Sequence, residues 1–202
     1  MKNETSKPRG RPRTLDKAKA LEVALDLFWR HGYEGTSVSD LTAAMGATPP
    51  SLYAAFGSKE ALYREALDLY ASREGDLARQ ALEEAHTARD GVRLMLDRAA
   101  RAYAANGERL GCLIASSVLS CSREHQTVRD ELARRRQAAC AMITARLDRA
   151  VGDGELPEGT DTRSLATFFG AVIQGMSTQA RDGATLEDLA SVAALAMRAW
   201  PT

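Results

Sequence analysis

No proline falls between Ser51 and Leu156. Proline removes a backbone donor and clashes with the preceding helical turn, so about half of this chain is free of the strongest helix breaker. Composition points the same way. The chain holds 36 Ala against 8 Val and 3 Ile, and alanine favours helix where β-branched residues favour strand. An all-α fold follows. The length of 202 residues allows one large domain or two small ones. No apolar run reaches the roughly 18 residues needed to cross a membrane. The basic, polar start of the chain has no apolar segment behind it, so it does not read as a secretory signal. Cys112, Cys121 and Cys140 are sparse and odd in number, which suits a reducing cytoplasm.

Local start and stop signals divide the N-terminal third. Thr14 is the cap expected for a first helix over residues 15–31, ended by Gly32, with Leu21, Leu25 and Phe28 as its apolar stripe. Ser37, with Asp40 three residues on, caps a short helix over 38–45 that buries Val38, Leu41 and Met45 and stops at Gly46. Thr48 caps a third over 49–56, where Pro49 and Pro50 take first positions at which a missing N–H costs nothing. That helix carries Leu52, Tyr53 and Phe56 and ends at Gly57. Ser58 then caps a fourth, which runs to about residue 86. Two short helices joined by a tight Gly46-Ala47-Thr48 turn form the pattern of a helix-turn-helix. The same apolar positions also fit an ordinary helical hairpin.

The net charge is zero, but its distribution is uneven. Residues 1–19 hold seven bases and two acids, a net +5, and the rest of the chain balances them. A basic arm on a mildly acidic body is expected where a chain meets a local polyanion; a solubilising tail is the alternative. Residues 1–13 carry two prolines, one glycine and no large apolar residue except Met1, a composition that predicts a disordered arm. Within it, Arg9, Arg11 and Arg13 are held extended by Gly10 and Pro12. Such arginines suit a narrow minor groove, where the negative potential is strongest.

Taken together, RGRPR and ALDLFWRHGYEGTSVSDLTAAMGATPPSLYAAFGSKEALY over residues 9–63 resemble the DNA-binding domain of the tetracycline-repressor (TetR) family. The resemblance implies an N-terminal three-helix helix-turn-helix domain over 14–60 and a C-terminal helical ligand-binding and dimerisation domain over 61–202, about nine helices in all. It implies phosphate contacts at Thr36, Ser37, Tyr53 and Lys59, and a groove-facing segment at Thr48, Pro49, Ser51 and Leu52. The sequence departs from the commonest family pattern in having Pro49-Pro50 for Lys-Gly and Ala54-Ala55 for Tyr-His. With no long base-reading side chain on that helix, specificity shifts toward the arginine arm, thymine-methyl contacts and DNA shape.

Further helices are predicted over 88–106, 112–120, 124–151, 162–181 and 186–200, with the Gly- and Pro-rich stretch 152–159 as the longest break. The resemblance implies a dimer built on the last two helices. Leu165, Phe168, Val172, Ile173 and Met176 form one candidate stripe, with Gly170 and Gly175 allowing close approach. Leu189, Val192 and Trp200, with Leu186, Leu195 and Met197, form the other. Ligand-pocket candidates are Met95, Tyr103, Cys112, Ile114, Val118 and Phe169, each more readily read as plain core packing. Few charges interrupt these stripes, so a mostly apolar cavity and an apolar or aromatic inducer are expected.

Other functions find less support. The chain has three histidines, His31, His86 and His125, none in a recognisable catalytic motif, and the phosphate-loop and dinucleotide glycine patterns are absent. Cys121, Glu124 and His125 lie close together without a second ligand pair, so neither metal nor cofactor is expected. The expected function is a repressor that binds a palindromic double-stranded DNA operator as a homodimer and leaves it when a small molecule binds. Alternatives are a regulator that senses redox state through Cys112, which lies at a predicted helix N-terminus, a transcriptional activator, and a protein-binding helical adaptor.

Overall fold

The computed structural model describes residues 15–105, 111–116 and 125–201, and every regular element among them is helical. Asp16 caps α1 (Lys17–His31), its carboxylate accepting from the Lys19 N–H at 3.2 Å. The cap therefore lies beyond Thr14, the expected one, which is outside the described residues. Helix α2 (Val38–Met45) and helix α3 (Pro49–Phe56) keep the bounds their caps predict. Between them Gly46 is left-handed (φ 60°, ψ 35°), and the Ala47 N–H returns to the Thr42 carbonyl at 2.9 Å. A Cβ strains at such a turn, and glycine avoids the cost. Helix α4 (Lys59–Tyr70) is interrupted by a π turn over Ala71–Gly75 before α5 (Asp76–Glu84).

Aromatic side chains knit α1 to α4. Phe28 meets Tyr63 edge-on at 4.9 Å, and Trp29 meets Tyr70 edge-on at 4.8 Å, an arrangement the ring quadrupoles favour. Leu41 from α2 and Leu52 from α3 close the same core.

The C-terminal unit comprises α6 (Ala88–Ala105), α7 (Leu113–Ser116), α8 (Gln126–Gly152), α9 (Thr162–Arg181), α10 (Leu186–Ala196) and a final short turn, Met197–Ala199. Its core gathers Met95, Leu96, Leu147, Phe169, Met176 and Leu189. The 152–159 break is anchored by Glu155, whose carboxylate accepts from the Ala88 N–H at the start of α6 and pairs with the buried Arg146 at 3.4 Å.

Three residues expected at a subunit interface lie elsewhere. Met176, Leu189 and Trp200 are buried inside this single chain, because an apolar stripe satisfies an internal core as readily as a partner. Gly170 likewise serves an internal contact, since a Cβ there would come within 2.8 Å of the Cys140 sulfur on α8, while Gly175 faces open space.

The two units are joined by specific bonds. The Trp29 indole N–H donates to the Gly111 carbonyl at 3.2 Å. Arg181, in the last turn of α9, donates to the carbonyls of Trp29 (3.4 Å) and Arg30 (3.1 Å) at the C-terminal end of α1. Arg135 on α8 donates to the Leu67 carbonyl at 3.2 Å and pairs with Asp68, both on α4. Gly111 sits at φ 75°, and a Cβ there would lie 2.5 Å from the Ser177 carbonyl oxygen. Gly111→Ala is therefore expected to destabilise the protein by about 2 kcal/mol or more, with thermal unfolding as the check.

Candidate nucleic-acid interface and ligand cavity

The surface of the helix-turn-helix follows from its caps. The Ser37 hydroxyl accepts from the Asp40 N–H at 3.1 Å and donates to the Asp40 carboxylate at 2.6 Å, which also accepts from the Ser37 N–H at 2.8 Å. This reciprocal box fixes where α2 begins. Thr48 and Ser51 share a hydroxyl–hydroxyl bond of 2.9 Å at the start of α3. Thr48, Pro49, Pro50, Tyr53 and Ala54 are exposed, so one polar-edged face of α3 meets solvent.

Two expected contacts are not on that face. Leu52 is fully buried, because with Phe56 it forms the i, i+4 apolar pair that seats α3 on the core. Thr36 is 1% exposed, and its hydroxyl donates to the Gly32 carbonyl at 2.8 Å. Pro50 and Ala54 take the outward positions that the sequence reading gave to Leu52, and the Leu52/Phe56 spacing was the signal that distinguishes them. Lys59, at the first position of α4, places its ammonium 4.2 Å from the centre of the Tyr33 ring, an attraction to the negative ring face. Arg9, Arg11 and Arg13 lie outside the described residues.

Where the units meet there is a cavity of about 170 Å³. Met95, Tyr103, Cys112 and Ile114 line it as expected. Phe169 instead fills the core against Trp200, with ring centres 6.2 Å apart; its neighbours Gly170 and Ile173 reach the cavity in its place. Ile173, expected on the dimer face, therefore belongs at least in part to the cavity wall. Val118 and Cys121 are outside the described residues. The sequence reading missed two further kinds of lining. Trp29 and Tyr70 enter from the N-terminal unit, and Arg98, Arg135 and Arg136 bring charge to a wall expected to be apolar. The Cys112 N–H donates to the Ser177 hydroxyl at 2.7 Å, and the Tyr70 hydroxyl donates to the Cys112 sulfur at 3.2 Å. His125 packs edge-on against Tyr33 at 5.0 Å.

Two family models match this chain: "Bacterial regulatory proteins, tetR family" over residues 20–66 and "Tetracyclin repressor-like, C-terminal domain" over residues 88–199. The chain belongs to the TetR family. The family is one of transcriptional regulators. The chain is 35% identical to the transcriptional repressor ComR of Escherichia coli K12, covering 96% of this chain and 93% of that one. It is 30% identical to the repressor BdcR of the same organism, again covering 96% of this chain and 93% of the other. Among solved structures, it is 42% identical to the TetR-family regulator CifR, a cysteine mutant complexed with 26-base-pair double-strand operator DNA. That likeness has a TM-score of 0.90 and covers 95% of this chain and 100% of that one. No helix among the described residues is long and apolar enough to cross a membrane.

The cap at the head of this TetR-type helix-turn-helix is expected to respond to acid. Hydrogen bonds from the Ser37 side chain and then its backbone hold the Asp40 carboxyl below its ordinary value of 3.8. A depressed folded-state pKa contributes stability above the unfolded value and loses it as pH falls through the folded one. Protection of the α2 amides from hydrogen exchange is expected to be flat from pH 7 to about 5 and to fall below about 4. In Asp40→Asn that acid-dependent loss should be smaller.

Proposed function

We propose that this TetR-family chain is a cytoplasmic repressor that binds a palindromic operator as a homodimer and is released when a small molecule fills the cavity between its units. One observation carries the ligand-controlled part. The cavity wall combines Trp29 and Tyr70, on the helices that hold the DNA-binding unit, with Met95, Ile143 and Ile173 of the C-terminal unit. A molecule placed there touches both units at once, and a repressor dimer needs its two recognition helices about 34 Å apart. Ligand binding releases DNA only if the ligand prefers the DNA-incompetent spacing, and operator must then weaken ligand binding by the same factor. Filling the cavity with Ile114→Trp should abolish release while leaving operator affinity near normal. Calorimetry giving equal ligand affinity with and without operator would rule the mechanism out.

In this reading Thr48, Pro49, Pro50, Ser51 and Ala54 face the major groove, while Ser37, Tyr53 and Lys59 meet phosphate. Tyr53 is 45% exposed beside that face. The arm over residues 1–13 supplies charge, and its deletion should flatten the slope of log affinity against log salt, since fewer counterions leave per complex. Lys59→Ala should weaken all sequences about equally, because phosphate contacts position rather than specify. A changed operator preference in that variant would overturn the division of roles.

The dimer surface is read on α9 and α10. Phe168 is 41% and Leu195 58% exposed, with Leu165, Val172 and Val192 half-buried beside them. Exposed apolar side chains of this size in one region mark an interaction surface. Leu195→Glu should turn a dimer into a monomer in sedimentation and lower operator affinity without altering helix content. In this reading α4, most of which lies past the expected boundary at residue 60, shares the core of α1–α3 and is counted with the DNA-binding unit through Tyr70.

A second reading, sensing through a thiol, rests on the place of Cys112 in the cavity wall and on the hydrogen bond it accepts from Tyr70. Cys112→Ser would then abolish operator release by peroxide and spare release by a non-covalent ligand.

A further inference from the structure

Three arginines reach the cavity, and no described lining residue is acidic. Two of the three are answered elsewhere. Arg98 pairs with Glu84 at 2.6 Å. Arg135 pairs with Glu131 at 2.6 Å and with Asp68, and is 13% exposed. Arg136 differs from both. Its guanidinium reaches only the Ile114 carbonyl, at 3.4 Å, and it forms no ion pair with any described residue. Burial pushes its pKa below the ordinary arginine value, partly offset by the neighbouring Cys112 and Tyr63 groups. An arginine nevertheless stays protonated, so a half-buried charge stands here whose lost hydration no counter-ion among the described residues repays.

Around that charge the wall is apolar, with Met95, Ile114, Met142 and Ile143 among its members. The Tyr103 phenol faces the same space. Burial, and then the adjacent Cys112, raise the Tyr103 phenol well above its ordinary range, so it keeps its proton. A guanidinium with no ion-pair partner among the described residues, a protonated phenol and the Gln174 amide, in a chamber with no acidic described lining residue, match a carboxylate, which is acceptor-only when ionised. The volume of about 170 Å³ is close to that of an engineered cavity that admits one benzene ring.

Resting on the reading of this cavity as the effector site, we infer that the effector is a compact apolar monocarboxylate, its acid group paired with Arg136 and its single-ring or short aliphatic body set against Met95 and Ile143. The probes are two acids and their neutral amides of nearly equal shape: phenylacetate with phenylacetamide, and hexanoate with hexanamide. Calorimetry on the wild-type protein without DNA is expected to give at least one acid bound about tenfold or more tightly than its amide, the scale of one charge-assisted hydrogen bond. Which pair shows the preference separates an aromatic from an aliphatic effector. In Arg136→Met the preference should vanish, and in Arg136→Lys part of it should remain. Equal affinity within both pairs, absence of acid binding at millimolar concentration, or an undiminished preference in Arg136→Met would each overturn the assignment. The wild-type comparison decides the point even if a variant folds poorly. Operator release is scored separately. Acid binding through Arg136 that leaves the operator complex intact defeats the induction reading and keeps the anion site. Release by amide and acid alike does the reverse.

Discussion

The two units meet on Trp29. Its indole N–H is bound to the Gly111 carbonyl, its ring edge lies on Tyr70, and its own carbonyl accepts from Arg181. A residue of the first helix thereby touches α4, the strand of chain entering α7, and the end of α9. Gly111 can offer its carbonyl there only because it lacks a Cβ. Its positive φ and its approach to the Ser177 backbone leave no room for one. Breaking the indole bond strands a buried donor, at a cost of about 1–3 kcal/mol. The segment that carries Cys112 and Ile114 into the cavity therefore cannot move freely of the helix that carries the DNA-binding unit.

Helix α4 is the second connection and has the shape of a lever. Its far end is gripped from two sides: Arg135 of α8 holds Leu67 and Asp68, and just beyond it Arg73 makes two bonds to Glu22 of α1. Its near end, Lys59, lies against Tyr33 beside the helix-turn-helix. Twelve residues span about 18 Å, so a tilt of about 10° shifts one end by about 3 Å relative to the other. The π turn over Ala71–Gly75 begins where α4 stops. Such turns loosen the regular ladder and recur at functional sites. In the proposed induction mechanism, a repacking near Tyr70, on the cavity wall, would be carried along α4 toward the DNA-facing surface.

Much of this was legible in the chain where the determinants are local. Ser37 with Asp40, Thr48 before Pro49, and Gly46 and Gly57 after their helices fix ends within four residues of themselves, and those bounds were read correctly. What escaped depends on residues distant in sequence. Leu52 was placed at the DNA and Thr36 on phosphate by family position, although their burial follows from packing on α1 and α4. Met176, Leu189 and Trp200 show that an apolar stripe specifies burial without saying against what. The run Arg134-Arg135-Arg136 is the sharpest case. In sequence it is one basic cluster on a solvated helix. In the fold Arg134 stays outside with Glu131, Arg135 grips an aspartate 67 residues away, and Arg136 turns to the cavity. No pattern of charge distinguishes the three.

The composition of the cavity wall also bears on how strongly any ligand can switch the protein. Affinity alone shifts no equilibrium; only contacts that differ between the DNA-competent and DNA-incompetent states do. Met95, Met142, Ile143 and Ile173 stand on helices of one unit, so contacts to them alone contribute mainly to affinity. Trp29 and Tyr70 belong to the other unit, and Cys112 is tied to it through the Tyr70 hydroxyl. If the cavity is the effector site, the discriminating energy must come from these three. Moving a tenth of the population to nine-tenths needs a preference of about 80-fold, or about 2.6 kcal/mol. That is within reach of two aromatic contacts and one hydrogen bond. A ligand that fills only the aliphatic end of the cavity can then bind well and leave the DNA-binding unit where it was.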